Sequence, residues 1–323
     1  MCTAVSYLSG DHYFGRNLDL DRTYGETVTI LPRNYPMHYR SKITEANHYA
    51  IIGMACISND YPLFFDGTNE CGLSIAGLNF PGNSVYLNAK KDYDNIAPYE
   101  LVPWILRQCS TVNESLDLLS RLNIVNIPFS DEYPLTPLHW LLSDANKSVV
   151  IEPLSDGVRI YDNPIGVLTN NPPFEYHTNN ICNYLNLTHD MPKNRFSDKI
   201  ELTPYSLGMG TIGLPGDLSS ASRFVRAAFT KWNSLSDHTE CSSVSQFFHI
   251  LSSVAQQNGC VKTNDGFEKT IYSSCCNTSR GIYYYTTYNN RRIRAVSIKN
   301  VNLDTHCLYS YPCDDEQDVK YLN

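Results

Sequence analysis

Met1-Cys2-Thr3-Ala4-Val5-Ser6-Tyr7-Leu8-Ser9-Gly10-Asp11-His12-Tyr13-Phe14-Gly15-Arg16-Asn17-Leu18-Asp19-Leu20 opens the chain, and its reading decides how the rest is understood. Thr3 to Leu8 and His12 to Leu18 are rich in aromatic and β-branched residues, which suit a half-buried pleated surface. Ser9-Gly10-Asp11 supplies turn chemistry, so residues 3 to 18 predict a β-hairpin. A turn centred on Gly10-Asp11 sets Cys2 across from the segment Arg16-Asn17-Leu18-Asp19.

That juxtaposition carries chemistry. A small residue after the initiator methionine permits its removal, and the chain would then begin with a thiol and a free α-amine on one residue. The amine, with a reference pKa of about 7.7–8.0, can serve as local base for a thiol whose reference value is about 8.5. A cysteine at position 2 taken alone is an ordinary small residue, and Arg16 and Asp19 without it read as a strand-end ion pair. Together they make a site: an arginine favours thiolate, and a carboxylate can hold an amine by a charge-assisted hydrogen bond. Strict alternation puts Arg16 and Asp19 on opposite faces, so their meeting at one site requires the strand to end or bulge near Asn17.

Working outward, strand-like runs cover Thr27 to Leu31, Ala50 to Ile57, Leu73 to Leu78, Val149 to Glu152 and Gly166 to Leu168. Lys269 to Ser274, Ile282 to Tyr288 and Ile293 to Ile298 predict an antiparallel meander. Helical spacing marks residues 98 to 109, a capping box at Thr111 and Glu114 starts a second helix, and Ala221 to Trp232 and Ser243 to Gln257 form another pair. Asn258-Gly259 reads as the C-cap of the last. Residues 171 to 219 read as surface loops within one domain spanning residues 1–323. Strand blocks alternating with helix pairs lack the rhythm of a doubly wound sheet and fit a layered α+β fold.

Bulk properties narrow the partners. A formal charge of −8 with no dense basic block argues against nucleic acid. Apolar runs fall well short of the roughly 20 residues that span a bilayer, so no membrane helix is expected. The N-terminus does not read as a secretory signal. Eleven scattered cysteines suggest neither a zinc site nor a disulfide framework, and a reducing, cytoplasmic setting is the expectation. His139, beside Trp140, reads as a core histidine.

Met1-Cys2-Thr3 followed by Phe14-Gly15-Arg16-Asn17-Leu18-Asp19 resembles the start of the choloylglycine hydrolases, a family that includes bile salt hydrolases and penicillin V acylases. The resemblance continues through Asp60-Tyr61-Pro62, Asp66-Gly67-Thr68-Asn69-Glu70, Gly77-Leu78-Asn79-Phe80-Pro81 and Leu138-His139-Trp140. It extends through Gly166-Val167-Leu168-Thr169-Asn170, Gly213-Leu214-Pro215-Gly216-Asp217 and Ala221-Ser222-Arg223-Phe224. Each string is weak alone, whereas their order around an N-terminal cysteine is specific.

The resemblance implies the four-layer αββα sandwich of N-terminal-nucleophile hydrolases. It implies Cys2 as nucleophile and base, Arg16 and Asp19 beside it, Asn79 and Asn170 in the oxyanion hole, and Arg223 as a second active-site arginine. Read from the residues alone, Asn79 and Asn170 could equally be turn residues and Arg223 a solvated side chain. Leu18, Tyr24, Phe65, Ile127, Phe129 and Leu135 are implied to line an apolar cleft, though each could be ordinary core. No metal or organic cofactor is needed. Asn79 stands where bile salt hydrolases commonly carry asparagine and penicillin V acylases often tyrosine, so glycine- or taurine-conjugated bile acids are the expected substrates. Penicillin V acylase and a non-catalytic binding protein on the same scaffold are the competing readings, and a homotetramer is the assembly implied.

Overall fold

A computed structural model describes residues 1–41 and 48–323. The hairpin forms: β1 (Cys2–Ser9) and β2 (Asp11–Leu20) pair antiparallel around Gly10, whose φ of +70° is left-handed backbone that glycine adopts without strain. The register pairs Cys2 with Leu18, Thr3 with Asn17 and Ala4 with Arg16, one residue tighter than a turn centred on Gly10-Asp11 would give. No bend occurs at Asn17, and β2 stays paired with β1 up to Leu18. Arg16 and Asp19 therefore lie on opposite faces, which corrects the expectation that the strand breaks to bring them together.

The remaining strands are β3 (Thr27–Leu31), β4 (Ile51–Ser58), β5 (Tyr61–Asn69), β6 (Ser74–Asn79), β7 (Asp94–Ile96), β8 (Leu122–Ile124), β9 (Leu138–Ser143), β10 (Ser148–Leu154), β11 (Gly157–Asp162) and β12 (Val167–Leu168). They continue with β13 (Val261–Lys262), β14 (Phe267–Asn277), β15 (Ile282–Thr287), β16 (Arg294–Ser297) and β17 (Tyr309–Pro312). One antiparallel sheet runs β12-β1-β2-β14-β15-β16, with β13 on β14, and a second runs β11-β10-β9-β6-β5-β4-β3-β17. The sheets face each other where β1 and β2 meet β6 and where β12 meets β9. Outside them, α1 (Leu101–Gln108) packs on β4, β5 and β6, while α4 (Ser220–Asn233) and α5 (Glu240–Ser252) pack on the first sheet. This is the αββα sandwich.

Alternation along the strands divides the core. On β4, Ile52 and Met54 point between the sheets, whereas Ile51 and Ala55 point to the layer under α1. Trp140 and Leu142 on β9 join that outer layer while Leu141 faces inward. Each such large side chain contributes about 1.5–3 kcal/mol on burial.

Helix ends differ from expectation in two places. α2 (Val112–Leu119) is capped by the Thr111 side chain, but the Glu114 carboxylate accepts from the Ser110 N–H at 2.7 Å, so the box closes one residue early. α5 ends at Ser252 and not at Asn258-Gly259, because the chain turns there to run into β13 and β14. Within residues 171 to 219, α3 (Phe174–Asn180) is a helix where only loop was expected.

Two consequences are measurable. A methyl group on Gly15 would sit 1.9 Å from the Ser274 carbonyl oxygen, so Gly15→Ala should destabilise the fold by about 3 kcal/mol through separation of β2 from β14, read by chemical denaturation. His12 is buried between the Ser6 and Thr278 hydroxyls at 2.9 Å each, and burial pushes its pKa down to about 4. The unfolded chain therefore binds more protons than the native one between about pH 4 and 6.5, and stability is lost as pH falls through that window, by up to ~3 kcal/mol. His12→Gln should flatten the corresponding slope of unfolding free energy against pH.

Candidate active site

Cys2, the first residue of β1, is buried at 2% exposure. Its backbone N–H donates to Asn170 Oδ1 at 2.8 Å. Arg223 Nη2 donates to the same oxygen at 2.7 Å, and Arg223 Nη1 donates to the Cys2 carbonyl at 2.5 Å and to Thr3 Oγ1 at 2.7 Å. Asn170 Nδ2 in turn donates to the Asn79 carbonyl at 2.6 Å. The two donors on one side and the carbonyl on the other fix the orientation of the Asn170 amide. Arg223 is fully buried at the start of α4, so it is not a solvated side chain. Burial lowers its pKa, with Asp19 and Cys2 opposing.

The loop carrying Asn170 is held from several sides. The Asn170 N–H donates to Ser220 Oγ at 2.8 Å, and its carbonyl meets His177 Nε2 at 3.0 Å. His139 contacts the Thr169 carbonyl through Nε2 at 2.9 Å and Glu152 through Nδ1 at 3.0 Å, and it stacks on Phe80 at 4.2 Å. His139 is thus a core histidine that braces the loop.

Alternation on β2 sends Arg16 and Asp19 to different sides of Cys2. Arg16 faces the other sheet, where Nη1 donates to the carbonyls of Phe65 at 3.0 Å and of Gly77. Its Nη2 is buried without a partner. Burial alone would depress the Arg16 pKa, but Cys2, Tyr272, Asp66 and Asp19 outweigh it and the value is raised. Asp19 lies on the helix side, where Oδ1 accepts from Thr270 at 2.6 Å and Oδ2 has no partner. Burial raises its pKa against the lowering effects of Arg223, the N-terminal ammonium and Thr270. Met1 continues the ladder: its ammonium donates to the Asp19 carbonyl at 2.8 Å and to Glu268 Oε1 at 2.7 Å, and its carbonyl accepts from the Asp19 N–H at 3.0 Å.

Asp66 was not singled out by sequence reasoning. Its carboxylate accepts from the Tyr272 and Tyr283 hydroxyls at 2.7 Å each, and it is a neighbouring anion of Arg16. Burial raises its pKa, and Arg16 is the largest opposing influence. The only sequence signal was its place in Asp66-Gly67-Thr68-Asn69-Glu70, which carries no spacing to Arg16.

A cavity of about 300 Å³ opens over Cys2, Arg16 and Asn79. Leu18, Tyr24, Phe65, Ile127, Phe129 and Leu135 all line it, so the structure gathers every residue assigned to the apolar cleft. Tyr99, Tyr133 and Trp140, not anticipated, also line it. Asn79 Oδ1 and Trp140 Nε1 are buried without protein partners. Asp19, Asn170 and Arg223 stand behind Cys2 and not in the cavity wall. Among the described residues no cluster of histidine, cysteine and carboxylate side chains could hold a metal ion, and no helix is long and apolar enough to cross a membrane. All eleven cysteines are free thiols.

The sequence profile of the family described as linear amide C-N hydrolases, choloylglycine hydrolase family, matches residues 2–311. A bile salt hydrolase/transferase of Lactiplantibacillus plantarum is 53% identical over 324 residues, covering 100% of both chains. A protein with the same description from Clostridium perfringens is 38% identical over 333 residues, again covering 100% of each. The crystal structure of a C2A mutant of the conjugated bile acid hydrolase from Clostridium perfringens superposes with a TM-score of 0.91 at 37% identity over 100% of both chains. A penicillin V acylase from Agrobacterium tumefaciens shares the fold, with a TM-score of 0.74 at 18% identity over 96% of this chain and 90% of that one. With the family profile covering residues 2–311 and relatives that match along their full length in agreement, the chain belongs to the choloylglycine hydrolase family and is an amidase acting on linear amides.

Proposed function

We propose that this amidase hydrolyses glycine- or taurine-conjugated bile acids, with Cys2 as nucleophile and base once Met1 is removed. The observation that carries the mechanism is the 2.8 Å hydrogen bond from the Cys2 nitrogen to Asn170 Oδ1. Cleavage of the Met1–Cys2 bond turns that nitrogen into an α-amine already oriented beside its own sulfur. Arg223, which shares the Asn170 oxygen, places a positive charge next to it and favours the neutral, proton-accepting amine.

The amine takes the thiol proton, and the sulfur attacks the amide carbon. Charge moves to the carbonyl oxygen, where an amide N–H of Asn79, which lines the cavity beside Cys2, receives it, while Asn170 holds the Cys2 nitrogen from behind. Arg16, which lines the cavity and keeps one buried nitrogen without a partner, holds negative charge at the sulfur and at the developing anion. Asp19 balances Arg223 on the helix side of the sheet, away from the cavity. The protonated amine then delivers its proton to the leaving amino acid, and water attacks the thioester to release the acid and regenerate the thiol. An amine arriving in place of water would give acyl transfer, the second half of the relatives' description.

A sterol body suits the cavity walls: Leu18, Phe65, Ile127, Phe129 and Leu135 offer aliphatic and aromatic faces, with Tyr24 at the rim. The relatives support the same substrate class, because those covering the full chain are described as acting on bile salts.

Cys2→Ser should cut kcat on glycocholate and taurocholate by at least about 10³-fold while leaving the thermal midpoint unchanged. Full activity in that variant, or in protein whose intact mass shows Met1 retained, would overturn the reading. Asn79→Ala should lower kcat by roughly 10²–10³-fold with little change in KM, the signature of an interaction made chiefly in the transition state. Measured side by side, kcat/KM for the two bile conjugates should exceed that for penicillin V; the reverse order would reassign the substrate while keeping the amidase.

A further inference from the structure

A second cavity, of about 700 Å³, lies at the opposite end of β1 from Cys2 and shares no lining residue with the first. Its walls come from the hairpin turn, from the loop after β11 and from the C-terminal end of α4. At its edge stand Leu8, Trp232 and Leu235, with exposures of 64%, 64% and 88%, an unusual cluster of large apolar side chains open to solvent.

Inside it stands a largely buried cation, Lys231. Its Nζ donates one hydrogen bond, to the Ile165 carbonyl at 2.5 Å, and lies 4.6 Å from the centre of the Trp232 ring. The acidic groups nearby are already committed. Asp162 pairs with Lys147 at 2.8 Å, and Asp144 accepts from the N–H groups of Val112, Asn146 and Lys147. No described carboxylate offsets Lys231, and burial alone pushes its pKa down to about 8. The lysine is fitted closely: a methyl group on Gly166, itself at φ +67°, would lie 2.4 Å from Nζ.

A buried, uncompensated ammonium beside an apolar rim is costly unless something supplies an anion and an apolar surface together. We propose that this cavity binds a free amphiphilic carboxylate or sulfonate, its charged end on Lys231 and its apolar body against Leu8, Trp232 and Leu235. A bilayer surface fits poorly, because the site is concave and the chain carries a net charge of −8, which repels anionic lipid. The products and substrates of the proposed reaction are themselves of this chemical class, yet the site stands independently of that reading. It adjoins two elements that reach the active site: α4, which begins near Arg223, and the segment from Gly166 to Asn170.

The test uses the full-length protein with sodium decanoate, kept below micelle formation, and 1-decanol as its neutral counterpart. Titration calorimetry should show decanoate binding at least 10-fold tighter than decanol. Hydrogen exchange should slow in residues 162–166 and 231–236 when decanoate is present. Lys231→Gln should remove that protection and weaken binding at least 10-fold, while Lys231→Arg keeps most of both and each variant retains bile-conjugate hydrolysis and its melting temperature. Equal binding of decanol and decanoate, protection confined to the Cys2 cavity, or unchanged affinity in Lys231→Gln would overturn the proposal. So would protection of the same segments that grows with protein concentration without ligand, since a second copy of the chain would then cover the rim.

Discussion

The pairing of Cys2 with Leu18 across the first hairpin is the constraint on which the site depends. Once that register is set, pleat alternation leaves no freedom: Arg16 and Leu18 must face the cavity, and Asn17 and Asp19 must face the helices. The sulfur thus emerges on the side with the cavity, and the carboxylate that balances the second arginine remains on the other. A shift of one residue would exchange these faces and remove both the guanidinium and the apolar wall from the thiol.

Four buried ionisable groups stand around Cys2, two arginines and two aspartates. Arg16 with Asp66 occupies the space between the sheets, and Arg223 with Asp19 occupies the space between sheet and helices. Isolated, any of them would carry a large desolvation cost. As a set they approach neutrality and are fixed by backbone carbonyls, hydroxyls and amides, so the field at Cys2 is organised before any ligand arrives. Three polar atoms at the site, Arg16 Nη2, Asp19 Oδ2 and Asn79 Oδ1, are buried without protein partners.

Much of this was legible in the sequence. The turn at Gly10 and the β-branched and aromatic flanks gave the hairpin, and alternation on β4 and β10 gave strands that match within a residue or two. β5 was missed because Pro62 and Gly67 interrupt a run otherwise suited to a strand, and β9 because Leu138–Ser143 faces a core on both sides and shows no alternation. α3 was missed because seven residues following Pro172-Pro173 carry too little periodicity to outweigh the turn signal. The bend proposed at Asn17 failed for an instructive reason. It assumed that Arg16 and Asp19 act from one side, whereas the main opposing charge on Asp19 is a second arginine, Arg223, distant in sequence. Asp66 escaped notice since a contact across two sheets leaves no local pattern.

Met1 sits as one more rung of the ladder, bonded to Asp19 through both backbone groups while its ammonium reaches Glu268. With Met1 in place the Cys2 nitrogen already donates to Asn170, so the proposed removal of Met1 would act on a nitrogen that the fold holds in position. On that proposal, loss of a single peptide bond would supply a lone pair at a nitrogen that Asn170 already orients.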